Sequence, residues 1–295
     1  MRQKGFLILL FALILQGCGI VRLRNSPTYH AGDPSVPGYE PRGSVRTQVY
    51  PSSVPGPTAR RMVVYLPEGY ETDTLRYPVF YLLHGARGYE TSWIRKGRFL
   101  QVTDSLFACG AAVPCIVVMP NVNKYDDDKD FDGSRFKDAF ESILEIDGKV
   151  ESAFRRDVVD FVDSLYRTIP DKTHRAIAGL SIGGLQSAYL SANLPDTFGY
   201  VGLYSPMVSR FVPGRGYNGF YSGLRRKLAE QFGEDPPAGY YVCKGSSDIF
   251  CHPVPGFHRY LLRKGYPHTW LVTPGGHEWY NWKYYYAWTL ERIFK

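Results

Sequence analysis

The sequence contains no internal repeat, no CxxC pair and, beyond Leu15, no apolar stretch that approaches a membrane span. Without a repeat, a fibrous or collagen-like chain is excluded. Without CxxC spacing, the common cysteine-based metal sites are excluded. Basic residues are not clustered: no Lys/Arg run exceeds Arg60-Arg61 or Arg225-Arg226-Lys227. Nucleic-acid binding needs a concentrated basic face. The net charge of +7, which falls to +5 without Arg2 and Lys4, therefore implies no nucleic-acid partner. Cysteine (5) and methionine (4) are scarce, so a disulfide mini-scaffold is out. What is present is globular composition, 44% hydrophobic and 21% charged over 295 residues, enough for one large α/β domain or two small ones. Aromatics reach 15%, with 23 Tyr, so some rings must lie at the surface, where they can stack on sugars or flat groups.

The N-terminus reads as a leader. Arg2 and Lys4 precede an apolar run, Phe6 to Leu15, too short for a comfortable span. It ends in Leu15-Gln16-Gly17-Cys18, which resembles a bacterial lipobox. On this reading residues 1–17 are a lipoprotein signal peptide, Cys18 carries the lipid anchor, and the mature chain is exported and touches a membrane only through that anchor. The competing reading is an ordinary secretory leader cleaved nearby. Export makes disulfides possible for the remaining four cysteines. Local pairing of Cys109 with Cys115 and of Cys243 with Cys251 is the simplest connectivity; the alternative is free thiols.

Residues 18–57 are rich in Pro, Gly and Ser and read as a tether with one strand-like piece, Ser44 to Tyr50. A compact domain is expected over 58–295. Arg61 to Leu66, Tyr77 to Leu83 and Cys115 to Met119 are apolar runs, the last two nearly continuous, the mark of strands covered on both faces. Val150, Phe154, Val158, Phe161, Val162 and Leu165 form one apolar helical stripe. Further strands are expected at Ala176 to Ala178, Tyr200 to Tyr204, Tyr240 to Cys243 and His268 to Val272. Helices are expected at Ser181 to Ser191, Phe220 to Phe232, Gly256 to Lys264 and Tyr280 to Phe294. This alternation predicts an α/β fold, a mostly parallel central sheet with helices on both faces.

Gly179-Leu180-Ser181-Ile182-Gly183 matches G-x-S-x-G, with a strand running in and a small-residue helix running out. That is the setting of a nucleophile elbow, which places a serine at a helix N-terminus where negative charge is favoured. A serine needs a base, and the base an orienting acid. In elbow-bearing enzymes the chain order is Ser, acid, His. His277 follows the last strand in a Gly-rich loop and is the candidate base; His84 precedes the serine, in the wrong order. Asp248 follows the penultimate strand and is the candidate acid. Asp235 and Glu234 precede that strand and fall at the opposite edge. One oxyanion donor is expected at the Ile182 amide and the other in the loop His84 to Gly88.

The runs YLLHGARGYETSW (Tyr81 to Trp93), VVMPN (Val117 to Asn121), YRTIPDKTHRAIAGLSIGG (Tyr166 to Gly184), GSSD and GGHEWYNW (Gly275 to Trp282) together resemble the "Putative esterase" branch of the α/β-hydrolases. That branch includes feruloyl and acetyl-xylan esterases of carbohydrate esterase family one, S-formylglutathione hydrolases, enterochelin esterases and mycolyltransferases. The resemblance covers roughly Arg61 to the C-terminus. It implies an α/β-hydrolase fold, Ser181, Asp248 and His277 as triad, and the Ala86 and Ile182 amides as oxyanion hole. No cofactor is expected. Arg87, Trp279 and Trp282 are the candidate substrate-binding residues. The acidic stretch Asp128, Asp130, Asp132, Gly133 matches only the first half of a calcium loop and is read as a solvated loop, because position twelve is Ala139. The expected function is an exported serine ester hydrolase that removes feruloyl- or acetyl-type groups from a carbohydrate. The alternatives are an acyltransferase to a sugar acceptor and an inactive carbohydrate-binding lipoprotein.

Overall fold

Side-chain alternation along five-residue strands such as Val79 to Leu83 sends neighbours to opposite faces, and this protein fills both faces. The computed structural model describes residues 39–54, 58–86, 88–123, 153–208, 223–248 and 253–295. Its strands are β1 (Ser44–Pro51), β2 (Ala59–Leu66), β3 (Val79–Leu83), β4 (Ile116–Pro120), β5 (Arg175–Leu180), β6 (Tyr200–Tyr204), β7 (Gly239–Gly245) and β8 (Thr269–Thr273). They form one sheet in the order β1-β2-β4-β3-β5-β6-β7-β8. β1 pairs antiparallel with β2, and β2 with β4; every other pairing is parallel. The helices are α1 (Ser92–Gly97), α2 (Phe99–Ala108), α3 (Phe161–Leu165), α4 (Ile182–Asn193), α5 (Leu224–Gln231), α6 (Val254–Lys264) and α7 (Trp279–Leu290). The fold is α/β, as the alternating pattern implied.

From β3, Val79, Tyr81 and Leu83 enter one core, and Phe80 and Leu82 the other. β7 divides likewise: Tyr240 and Val242 on one face, Tyr241 and Cys243 on the other. The first core is closed by Leu185, Ala188 and Tyr189 of α4 and by Phe257 and Leu261 of α6. The second is closed by Trp93, Phe99 and Leu106 from α1 and α2, and by Tyr285 and Tyr286 of α7. Each fully buried side chain of this size contributes about 1.5–3 kcal/mol of transfer free energy. The order of the sheet reverses between β3 and β5, because β3 continues outward to β4 while β5 continues to β6. Such a switch point opens a crevice at the strands' C-terminal ends, where ligands bind in open sheets.

β1 bears out the strand expected at Ser44 to Tyr50, and the structure adds detail on three points. The described part of the tether is integral to the sheet: β1 pairs along its whole length with β2, from Ser44 with Leu66 to Pro51 with Ala59. A boundary at residue 58 would cut this hairpin. Hydrogen bonds anchor both its flanks. Tyr39 Oη and the Arg42 N–H donate to Asp104 at 2.5 and 2.9 Å, and the Ser53 N–H donates to Asp157 at 2.6 Å. Second, the stripe from Val150 is not wholly α-helical. Phe154–Asp160 winds as a π-helix before α3, and its first residues lie outside the described ones. Third, Cys109, Cys115 and Cys243 are free thiols. Cys115 and Cys243 are buried within the second core, while Cys109 is exposed at the end of α2 with its thiol turned to Leu106 C=O. Cys18, Cys251, the leader and the acidic stretch around Asp130 lie outside the described residues.

Candidate active site

β5 passes into α4 through Ser181, whose backbone sits at φ 55° and ψ −115°. A side-chain-bearing residue holds that left-handed conformation only when its surroundings enforce it. Here the Ser181 N–H donates to Tyr204 C=O at 2.8 Å, and its C=O accepts from the Met207 N–H at 3.0 Å. The turn closes because glycines flank it. A Cβ on Gly179 would lie 2.5 Å from the Gly183 carbonyl, and one on Gly183 would lie 2.3 Å from the His84 oxygen. The G-x-S-x-G spacing is thus a requirement of backbone approach.

The structure brings the three expected side chains into one line. His277 Nε2 lies 2.9 Å from Ser181 Oγ, and His277 Nδ1 lies 2.9 Å from Asp248 Oδ2. The Asp248 side chain is fully buried and that of His277 is 16% exposed. A carboxylate only accepts, so Nδ1 carries the proton and Nε2 is left to accept from the serine hydroxyl. Two interlocked loops hold this pair. Ser246 N–H donates to Thr273 C=O at 2.7 Å, and Ser247 N–H to Gly275 C=O at 2.9 Å. Asn281 Nδ2 donates to Gly276 C=O at 2.9 Å, which ties the base loop to α7.

The other acids and histidines around these strands have partners of their own. Asp235 pairs with Lys172 at 2.7 Å, before β5. Glu278 accepts from the Gly276 N–H at 2.9 Å as α7 begins. His258 and His268 bond each other at 2.8 Å beside Trp270.

The Ile182 amide is among the first N–H groups of α4, which a helix leaves without an internal partner. Ala86 occupies the second position of a turn closed by Gly88 N–H donating to Gly85 C=O at 3.0 Å, a bond that does not use its own N–H. Both residues pack with Met207 in a small apolar cluster beside the serine. The sequence reading missed Met207, since no spacing marks a residue after β6 as a neighbour of the elbow.

Trp282 is 7% exposed and meets the His277 ring edge-to-face at 4.9 Å. It braces the base from the core side. Trp279 is partly buried between Trp282, at 5.4 Å, and Trp93, at 5.2 Å. Arg87 lies outside the described residues.

Residues 56–285 match the family described as "Putative esterase". Among curated proteins, the chain is 37% identical over 150 residues to an endo-1,4-beta-xylanase/feruloyl esterase of Xylanibacter ruminicola, a match covering 48% of this chain and 19% of that protein. It is 30% identical over 155 residues to endo-1,4-beta-xylanase Y of Acetivibrio thermocellus, covering 49% of this chain and 12% of that one. The chain therefore spans less than a fifth of the length of each of these two relatives. Among solved structures, a ferulic acid esterase superposes with TM-score 0.68 at 25% identity, covering 85% of this chain and 98% of the other. A CE1 ferulic acid esterase from the anaerobic fungus Anaeromyces mucronatus superposes with TM-score 0.72 at 23% identity, covering 91% and 96%. With the family match spanning most of its length and an eight-stranded, mostly parallel sheet beneath the site, the chain belongs to the "Putative esterase" family of α/β-hydrolases.

Proposed function

We propose that the protein is a serine ester hydrolase that removes feruloyl- or acetyl-type groups from a carbohydrate. The observation that carries this is the relay from Ser181 Oγ through His277 to the buried Asp248, with 2.9 Å at each step. In this reading Ser181 Oγ attacks the ester carbonyl and His277 Nε2 takes its proton. The Ala86 and Ile182 amides stabilise the oxyanion, and Asp248 stabilises the imidazolium that forms. Collapse expels the sugar alkoxide, which His277 protonates. Water then enters, gives a proton to His277, and cleaves the acyl-enzyme to release the carboxylic acid. The relatives' names support a plant-polysaccharide ester over a cytoplasmic thioester. The lipobox-like Leu15-Gln16-Gly17-Cys18 supports an exported, lipid-anchored enzyme.

A panel of feruloylated and acetylated xylo-oligosaccharides, with Ser181→Ala as control, tests the reading. Release of ferulate or acetate that depends on Ser181 is expected. Equal turnover by wild type and Ser181→Ala would overturn it, and transfer of the acyl group to a sugar acceptor without net release would make the protein an acyltransferase.

A further inference from the structure

A buried set of hydrogen bonds surrounds the Gly85–Gly88 turn, and the chemistry proposed above uses none of it directly. His84 is 3% exposed. Its Nε2 accepts from the Val122 N–H at 3.1 Å, which leaves Nδ1 to donate to Gly85 C=O at 2.8 Å. The imidazole is therefore neutral and held in one tautomer; burial also pushes its pKa down to about 4. From the other end, Asn123 Nδ2 donates to Gly88 C=O at 2.8 Å. Asn123 is itself set by its N–H donating to Asn121 Oδ1 at 3.0 Å, and Asn121 Nδ2 donates to Glu90 Oε2 at 3.1 Å. Glu90 in turn faces Arg61 at 3.3 Å. The turn has no slack: a Cβ on Gly88 would lie 2.9 Å from the Gly85 oxygen and 3.0 Å from His84 Nδ1. Each fixed carbonyl constrains the peptide plane next to it, and Ala86 lies between the two carbonyls that His84 and Asn123 grip.

We infer that His84 and Asn123 are positioning residues that clamp the Gly85–Gly88 turn at both ends and so hold the Ala86 amide where the oxyanion forms. The inference rests on the esterase reading given above. It assigns His84 a task that needs a permanently neutral imidazole, with one nitrogen accepting and the other donating. An oxyanion donor works through preorganisation, and its loss costs about 10²–10³ in kcat; displacing it by a fraction of an ångström costs less.

Steady-state hydrolysis of p-nitrophenyl acetate by His84→Ala, His84→Asn and Asn123→Ala is the test, with phenylboronic acid affinity and thermal midpoint measured alongside. The boronate forms a tetrahedral adduct with the serine and so reads the oxyanion site without turnover. The expected result is a kcat lowered about 10- to 100-fold at nearly unchanged KM, with boronate affinity falling in step. His84→Asn recovers part of the loss, because its amide can still donate to Gly85 C=O. If His84→Ala does not fold, His84→Asn and Asn123→Ala carry the test. Wild-type kcat and boronate affinity in folded variants would overturn the clamp alone. A wild-type protein that neither hydrolyses the ester nor binds the boronate would overturn the esterase reading, and the clamp with it.

Discussion

The elbow after β5 and the glycine turn after β3 face each other across the switch point, yet they are held by different means. The elbow is local. Its φ of 55° at Ser181 follows from two glycines within five residues and from backbone hydrogen bonds to β6 and the segment after it. The turn is non-local. Its carbonyls are fixed by His84, which is held by the Val122 N–H thirty-eight positions on, and by Asn123, which leans through Asn121 on Glu90 and Arg61. A local device can be read as a motif, whereas a non-local one exists only once β3 and β4 lie side by side. The comparison also says how each should fail: the elbow through loss of the nucleophile, the turn through loss of aim.

The largest effect tests the elbow. Ser181→Ala should lower turnover by about 10⁵–10⁶, leaving only what the oxyanion donors and binding supply. The next targets the contact between the two devices. Gly183→Ala places a methyl 2.3 Å from His84 C=O and 2.9 Å from Leu83 C=O, both backbone atoms. Relief requires separating α4 from the β3 loop. About 1–3 kcal/mol of destabilisation is expected, with a kcat loss of roughly 10² or more. Chemical denaturation and kinetics on the same preparation check both, and a fully active, stable variant would break the comparison.

The third prediction concerns the turn alone. His84 stays neutral in the folded protein down to about pH 4, from an ordinary value of 6.5, because burial disfavours its charged form. The unfolded chain takes up that proton first. The His84 contribution is therefore fully present above pH 6.5 and is lost as pH falls toward 4, by about 3 kcal/mol in all. Carboxylates add their own acid dependence, so the useful quantity is a difference. The stability gap between wild type and His84→Asn should narrow by about 2–3 kcal/mol between pH 7 and pH 4.5. A gap independent of pH would mean that His84 is protonated in place.

The same contrast explains what could be read in advance. β3 and β4 are continuous apolar runs, and Ser181, Asp248 and His277 each follow a recognisable strand, so the sheet and the relay were legible. α1 and α2 were not. They meet at Arg98, a non-glycine residue at φ 50° that ends one helix and starts the next, and neither has a side-chain N-cap. Arg95, Lys96 and Gly97 mark a stop, but no capping side chain marks the restart at Phe99. The stripe Val150, Phe154, Val158, Phe161, Val162 and Leu165 fits an α-helix, and within it Phe154 and Val158 of the π-helical stretch are four residues apart. That spacing drifts around an α-helix but stays closer to one face in a wider turn. His84 comes before the serine, the wrong order for the base. Chain order bears on the base and says nothing about a residue that grips the turn beside it.

The smallest expected effect is none, and it bears on the third loop of the site. Two cysteines near Asp248, Cys243 and Cys251, suggest by their spacing a bridge that would fix the acid. Cys243, however, is a buried free thiol in the second core, with its ionisation pushed up by that burial. The acid loop is instead held by Ser246 on Thr273 at 2.7 Å and Ser247 on Gly275 at 2.9 Å. The two loops also approach too closely for side chains, since a Cβ on Gly245 would lie 2.3 Å from the Gly275 oxygen. Hydrogen bonds from the loop after β7 to the end of β8 and the loop beyond it thus hold the acid without a disulfide, and they are indifferent to redox conditions. Dithiothreitol should leave kcat and the thermal midpoint unchanged. Under native conditions iodoacetamide should modify the exposed Cys109 and spare Cys115 and Cys243, whose thiols burial keeps protonated. A fall in turnover on reduction, without a matching fall in stability, would show that the acid loop depends on a covalent clasp and would set it apart from both turns.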